Sequence, residues 1–430
     1  MGSLLQVYIF GFGPGALWLL IPLWFVLGDG DFFSSTPPPL PRFTMAHTLG
    51  QGTEWRFNPL VVDINGDGYL DLAATARLVD PALHIWLGDG KTFTPAKRTW
   101  TDIGYAALAT GDVNHDGFPD IVGVSHFGGV QTLLSDGQGG FTETIMRRED
   151  GYVAAQLADI NGDGELDLIA LGFEKVGIEI YLGDGKGNWR LHTTLPKPPP
   201  GRTMPGRALV LGDLNHDGHL DVVAAFNRWG LYIYYGDGQG GFTGGLADFI
   251  PPRAFDSIGV SLALGDVNHD GHPDLVINGT ACEPRPSRPV RERASHSDLA
   301  INGTLCEGNQ LNGPDVYLGD GCGGWTASSM GLKALRVAAP GLALGDLDGD
   351  GHLDILAGGN VTGELRSGYG LFWFRGDGKG GWQLVQESSL PPQGLSFPES
   401  IVLADLDRDG VPEIITLHGV SGNITIWKRQ

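Results

Sequence analysis

Seven nine-residue runs, each crowded with carboxylates, recur along the chain. They read DINGDGYLD (63–71), DVNHDGFPD (112–120), DINGDGELD (159–167), DLNHDGHLD (213–221), DVNHDGHPD (266–274), DLDGDGHLD (346–354) and DLDRDGVPE (405–413). All fit D-x-[ND]-x-D-G-x-x-[DE]. Oxygen-bearing side chains at alternate positions of a tight loop aim at one centre, and a sixth-position glycine permits the sharp turn. Calcium takes six to eight hard oxygen ligands at roughly 2.3–2.6 Å. Asp, Asn and Gly also make good turns without a metal, but seven copies in register speak for a shared ligand.

The expected side-chain ligands are Asp63, Asn65, Asp67 and Asp71 in the first loop, then Asp112, Asn114, Asp116 and Asp120 in the second. Asp159, Asn161, Asp163 and Asp167 follow, then Asp213, Asn215, Asp217 and Asp221, then Asp266, Asn268, Asp270 and Asp274. The last two sets are Asp346, Asp348, Asp350 and Asp354, and Asp405, Asp407, Asp409 and Glu413. The seventh residue varies widely (Tyr69, Phe118, Glu165, His219, His272, His352, Val411), which suits a ligand supplied by its backbone carbonyl. Asp348 and Asp407 replace the Asn of the first five loops. With four carboxylates each, the last two loops are expected to hold a cation most tightly.

This reading accounts for much of the charge. The chain has 430 residues and a formal net charge of −22. At positions one, three, five and nine, five loops carry three carboxylates and two carry four, 23 of the 50 acidic residues, and seven divalent ions would bring the net charge to about −8. Without metal these carboxylates repel one another. The acidic balance disfavours nucleic acid as a partner.

The elements that must hold the loops follow from the spacing. Successive loops start 49, 47, 54, 53, 80 and 59 residues apart, mostly close to the roughly 40–50 residues of a four-stranded propeller blade. A glycine-rich turn followed by an aromatic comes after each of the first six, as in YLGDGKGNW (181–189), YYGDGQGGF (234–242) and WFRGDGKGGW (373–382). Aspartate-glycine between apolar runs is a hairpin signal. Each repeat reads strand, acidic loop, strand, variable loop, strand, turn, strand, with no helical periodicity after the N-terminus. The seventh repeat stops at NITIWKRQ (423–430), one strand short, while residues 42–49 (RFTMAHTL) resemble the fourth strands GFTETIMR (140–147) and GFTGGLAD (241–248). The expected fold is all-β: one seven-bladed β-propeller of four-stranded antiparallel blades over residues 41–430, closed by an N-terminal strand that also protects the sheet edges.

Outside the ring, residues 4–28 carry no charge and are long enough to span a bilayer. Residues 1–28 are read as a signal peptide or an N-terminal membrane anchor, with a signal peptide favoured. A Pro-rich linker over 29–40 follows. Either reading places the propeller outside the cytoplasm, secreted or membrane-anchored. The fifth repeat carries an insertion, about 281–312, with PRPSRPVRER (284–293) at its centre and a duplicated DLVINGT/DLAINGT pair. Of three cysteines, Cys282 and Cys306 sit in near-identical segments, compatible with a disulfide or with two free thiols, and Cys322 is expected to be exposed on a turn. Arg375-Gly376-Asp377 spells RGD, but in the frame that forms the turn in every complete repeat.

Loops and turns together resemble the FG-GAP/VCBS repeat family, which includes the propeller of integrin α-subunits. The resemblance covers nearly all of 41–430. It implies calcium-binding loops joining the first two strands of each blade, and functions ranging over adhesion, carbohydrate binding and polysaccharide lysis. Fold alone does not choose among these.

In up-and-down blades the acidic loops and GDG turns share one face, which leaves the opposite face free to vary. That face is expected to display Trp55, Arg56, Tyr105, His126, Phe127, Tyr152, Arg207, Arg228, Trp229, Arg366, Tyr369 and His418. Aromatics beside Arg and His suit a glycan or a protein hot spot, and they equally suit packing between blades. Three functions stay open: a binding or adhesion module for glycan or protein, a calcium-dependent polysaccharide lyase, and a structural surface or matrix component. The enzyme reading is disfavoured, because no nucleophile or metalloprotease motif is present and the histidines at 115, 219, 269, 272 and 352 lie inside acidic loops.

Overall fold

The computed structural model describes residues 41–430 except 51–54, 77–80, 128, 149–150, 174–176, 196–204, 227–228, 248–253, 283–310, 333–336, 361–368, 386–389, 391–397 and 420–421. It also describes residues 5–7 and 23–25. Met1–Leu40 and Pro41–Gln430 form separate units. In the first, Leu5–Val7 pairs antiparallel with Leu23–Phe25. The rest of the candidate signal or anchor segment, the linker and the centre of the insertion lie outside the described residues. Among the described residues no helix is long and apolar enough to cross a membrane.

The second unit is seven four-stranded antiparallel sheets. The first blade runs Trp55–Val62, Asp71–Ala76, Leu83–Gly88 and Phe93–Pro95, with hydrogen-bonded neighbours in that order. Blades two to six repeat the pattern. In the seventh, Pro398–Ala404, Glu413–His418 and Ile424–Arg429 are completed by Phe43–Leu49, which pairs with Ile424–Arg429 from Phe43 opposite Arg429 to Leu49 opposite Ile424. The first strand of each blade packs on that of the next, and Pro398–Ala404 packs on Trp55–Val62, so the ring is closed. Ser400 Oγ donates to Asn58 Oδ1 at 2.7 Å across that seam.

Each acidic loop joins the first and second strands of its blade. The second strands, DLAATA, DIVGVS, DLIALG and DVVAAF among them, are buried along their whole length. Both faces are covered by neighbouring blades, which is why these strands read as continuous apolar runs rather than alternating ones. The core is a series of interfaces. One cluster joins Ile169, Leu171 and Ile180 to Val222, Ala224 and Phe226 of the next blade, and another joins Trp55 and Leu72 to Ile415 and Ile424 across the seam.

In the fifth blade the second strand, Asp274–Cys282, pairs with Leu311–Gly319. The first copy of the duplicated segment, DLVINGT, therefore supplies the strand. The second copy and Cys306 lie outside the described residues. Cys322 is free and exposed.

The closing strand covers the outer edge of Ile424–Arg429. Removing residues 1–49 is expected to lower the thermal midpoint and to cause association through that bared edge. Thermal circular dichroism and light scattering check this, and an unchanged midpoint would mean that the strand adds nothing to closure.

Candidate functional site

Two carboxylates shape each acidic loop from inside. The first-position Asp63 accepts from the backbone N–H of Asp67 at 3.1 Å on Oδ1 and from that of Gly68 at 2.7 Å on Oδ2. The same pair of bonds forms at Asp112, Asp159, Asp213, Asp266, Asp346 and Asp405. The fifth-position carboxylate, Asp67 in the first loop, accepts from the seventh residue's N–H at 2.8 Å.

This winding puts two positions of every loop in the left-handed region. The sixth is always glycine, with φ between 84° and 91°. The fourth is Gly66, Gly162 or Gly349 in three loops, and His115, His216, His269 or Arg408, with φ from 57° to 64°, in the others. A non-glycine residue held there costs about 1–3 kcal/mol, offset by the carboxylate bonds around it.

The ninth-position carboxylate is buried. Asp71 accepts from Ile64 N–H on Oδ2 and from Gly88 N–H on Oδ1, each at 2.8 Å. One side chain thus ties its loop to the GDG turn that ends the third strand. Asp120 holds Val113 and Ser135 in the same way, and Asp274 holds Val267 and Gly319. Asp167, Asp221 and Asp354 repeat the pattern. Glu413 accepts from Leu406 N–H at 2.8 Å in the seventh blade, which has no such turn. Burial pushes the carboxyls of Asp71, Asp120 and Asp274 up to about 6 and that of Asp354 up to about 7, while the backbone donors pull the other way.

The donors fit a hard cation. Oxygens of Asp346, Asp348 and Asp354 lie within 4.8 Å of one another, as do those of Asp405, Asp407 and Glu413. In the first five loops an asparagine stands at the third position, its Nδ2 2.8–3.0 Å from the fifth-position carboxylate. The designated side-chain donors are all oxygens, the chemistry of calcium rather than of a soft transition metal.

The seventh-position side chains have a role that reading the sequence missed. Each of the first six lies over the glycine that follows the aspartate of its own blade's turn. A Cβ on Gly90 would stand 2.6 Å from the Tyr69 ring, and one on Gly137 2.4 Å from that of Phe118. In the four loops whose fourth residue is not glycine, its side chain reaches the seventh residue of the next loop. His115 Nε2 is 2.7 Å from Glu165, His269 Nε2 is 2.8 Å from His352 Nδ1, and the His216 and His272 rings are 4.5 Å apart. Arg408 sits 4.9 Å over the Tyr69 ring, carrying this belt across the seam between the seventh blade and the first. The signal for it was the aromatic and imidazole content of the fourth and seventh positions.

The FG-GAP-like repeat pattern matches residues 63–123, 112–170, 159–224 and 213–277, each match starting on the first aspartate of a loop. The chain belongs to the FG-GAP-like repeat family. No curated protein matches the sequence. Among solved structures, BBS1N in complex with ARL6DN is similar at a TM-score of 0.52 and 11% identity, covering 90% of this chain and 97% of that one. A protein from Lactobacillus plantarum is similar at a TM-score of 0.50 and 13% identity, covering 84% and 94%. At these identities the likeness is one of fold. Like other members of its family, the FG-GAP chain must be assigned a function from its own side chains.

At the opposite ends of the blades, five of the residues expected to be displayed are buried: Trp55, Tyr105, Tyr152, Tyr369 and His418. Trp55 packs 5.2 Å from His84 and 5.5 Å from Trp86, and its Nε1 donates to Gly50 O at 2.9 Å. Tyr105 bonds Gln131, and Tyr152 bonds Tyr181 and Glu179, which also pairs with Arg148 at 2.9 Å. Arg207 and Trp229 are half-buried. Arg228, Arg366 and the side chain of Arg56 lie outside the described residues. His126 stacks on Phe173 at 4.4 Å, with Phe127 edge-on to Phe173 at 6.2 Å and 81% exposed. Phe173 was not singled out from the sequence.

The RGD tripeptide is consumed by its own blade. Asp377 Oδ1 accepts from Lys379 and Gly381 N–H at 2.8 Å, and Arg375 lies against Asp348 and Asp350.

The ninth-position clamp is testable. Asp120→Ala would leave the N–H groups of Val113 and Ser135 without their acceptor, at about 1–3 kcal/mol each. Urea denaturation is expected to show a loss of about 2–5 kcal/mol for D120A, and a variant as stable as the parent would show that the clamp is dispensable.

Proposed function

We propose that the protein is a calcium-stabilised binding module, secreted or surface-anchored, that engages a glycan or a protein through the blade ends opposite its acidic loops. The observation that carries the calcium part is the set of side-chain oxygens repeated at positions one, three, five and nine, wound in every loop by the same carboxylate–backbone bonds. Calcium would be held by the side-chain oxygens at positions one, three, five and nine, with the seventh-position carbonyl. There it would neutralise carboxylates that otherwise repel one another across the loop. The Asp, Asn and Glu side chains orient one another around that point. The ion's task is to hold the loop and, through the ninth position, the turn behind it.

The ligand-binding part rests on the His126–Phe127–Phe173 group. A phenylalanine 81% exposed, braced by two stacked rings, offers an apolar platform for a sugar face or a protein side chain.

Chelation with EDTA is expected to lower the thermal midpoint markedly, and calcium in excess to restore it while magnesium does not. A midpoint insensitive to EDTA would rule out structural calcium. For the ligand face, a glycan array with calcium present is expected to give hits that Phe127→Ala weakens at least tenfold. Hits unchanged by F127A would place the binding surface elsewhere, and depolymerisation of a bound polymer would favour the lyase reading.

A further inference from the structure

We propose that the last two acidic loops are plugged by the protein's own cations: Arg375 and Lys428 stand where calcium stands in the first five loops, so the chain binds five ions and not seven. This inference rests on the calcium reading above. Lys428 Nζ bonds Asp407 and lies 3.1 Å from Asp409 Oδ2 and 4.0 Å from Glu413 Oε1. These are the third, fifth and ninth positions of the seventh loop, three of the four side chains a metal would use. In the sixth loop Arg375 Nε is 2.6 Å from Asp348 Oδ2 and its Nη2 is 2.8 Å from Asp350 Oδ2, again the third and fifth positions.

Strand register shows that the two cations occupy one structural position. Arg375 follows Phe374, which pairs with Ile355, and Lys428 follows Trp427, which pairs with Ile414. The equivalent residues in blades one to five are Leu87, Leu134, Leu182, Tyr235 and Leu318. Every loop with a neutral Asn at its third position has an uncharged residue there, and both loops with Asp have a cation. The additional carboxylate and the tethered cation arrive together, so the side chains at positions one, three, five and nine, counted with the tethered cation, carry a formal charge of −3 in every loop before any metal binds.

That balance removes the electrostatic reason for tighter binding in the last two loops and adds a reason for weaker binding. An ammonium or guanidinium in contact with the ligand oxygens is a competitor whose local concentration does not fall on dilution. Calcium would have to displace it and then meet its charge a few ångströms away, across a partly buried site where screening is weak. Asp407 retains one buried oxygen, Oδ1, without a hydrogen-bond partner, so the seventh loop keeps ligand capacity that the lysine does not use.

Leucine is the natural residue at this position in four blades, so R375L and K428L each copy a neighbour's solution. The test is calcium stoichiometry on the full chain by native mass spectrometry and equilibrium dialysis, with circular dichroism to confirm folding and K428Q as a milder second variant. The expected counts are five ions for the parent, six for R375L, K428L or K428Q, and seven for the double variant. A parent that binds six or seven ions, or folded variants that bind no more than the parent, would overturn the proposal. Binding of no ions by any form would instead remove the calcium reading on which it rests.

Discussion

A single buried carboxylate per blade organises this ring. Asp71 and its six counterparts have at most one-thirtieth of their surface in solvent, and six of them accept one N–H from the acidic loop and one from the end of the third strand. A charge buried among apolar strands is costly, and burial raises each of these carboxyl pKa values. The two backbone donors offset part of that cost. What the arrangement supplies is registration, because loop, second strand and turn all meet at one side chain. The hydrophobic interfaces can then form between blades whose shape is already set.

The loops link blades to one another as well as strands within a blade. Where the fourth residue is His or Arg, held in left-handed geometry by the first-position carboxylate, its side chain projects toward the seventh residue of the following loop. The seventh residue in turn lies over the glycine of its own turn, so a side chain on that glycine would collide with it. Loop winding, turn composition and inter-blade contact are therefore coupled. A cation that stiffens one loop would act on the joint with its neighbour. At positions one, three, five and nine the formal charge is the same in every loop once Arg375 and Lys428 are counted against Asp348 and Asp407.

At the other end of the blades, burial divides the aromatic residues into two groups. Trp55, Tyr105 and Tyr152 stand at the start of first strands, where the neighbouring blade covers them, and their polar atoms are met by internal partners. Phe127 lies in the turn between second and third strands, beyond the reach of that packing, and is exposed. Aromatic type alone does not separate these two environments.

Seven loops, seven blades and the closing strand over 42–49 were all legible in the sequence, because a repeated motif and a missing fourth strand are patterns along the chain. The recurrence of carboxylate or amide side chains at positions one, three, five and nine was legible for the same reason. Three features were decided only in three dimensions. The ninth carboxylate reaches a turn 15 to 45 residues further on, a contact set by strand pairing rather than spacing. The fourth and seventh loop positions meet across blades, some 50 to 80 residues apart, which only the curvature of the ring brings about. The counter-cations Arg375 and Lys428 sit on third strands, where their chemistry has no meaning until register places them beside a loop. Sequence determines what each repeat is made of and how many there are; the tertiary structure decides which residues of different segments share one point in space.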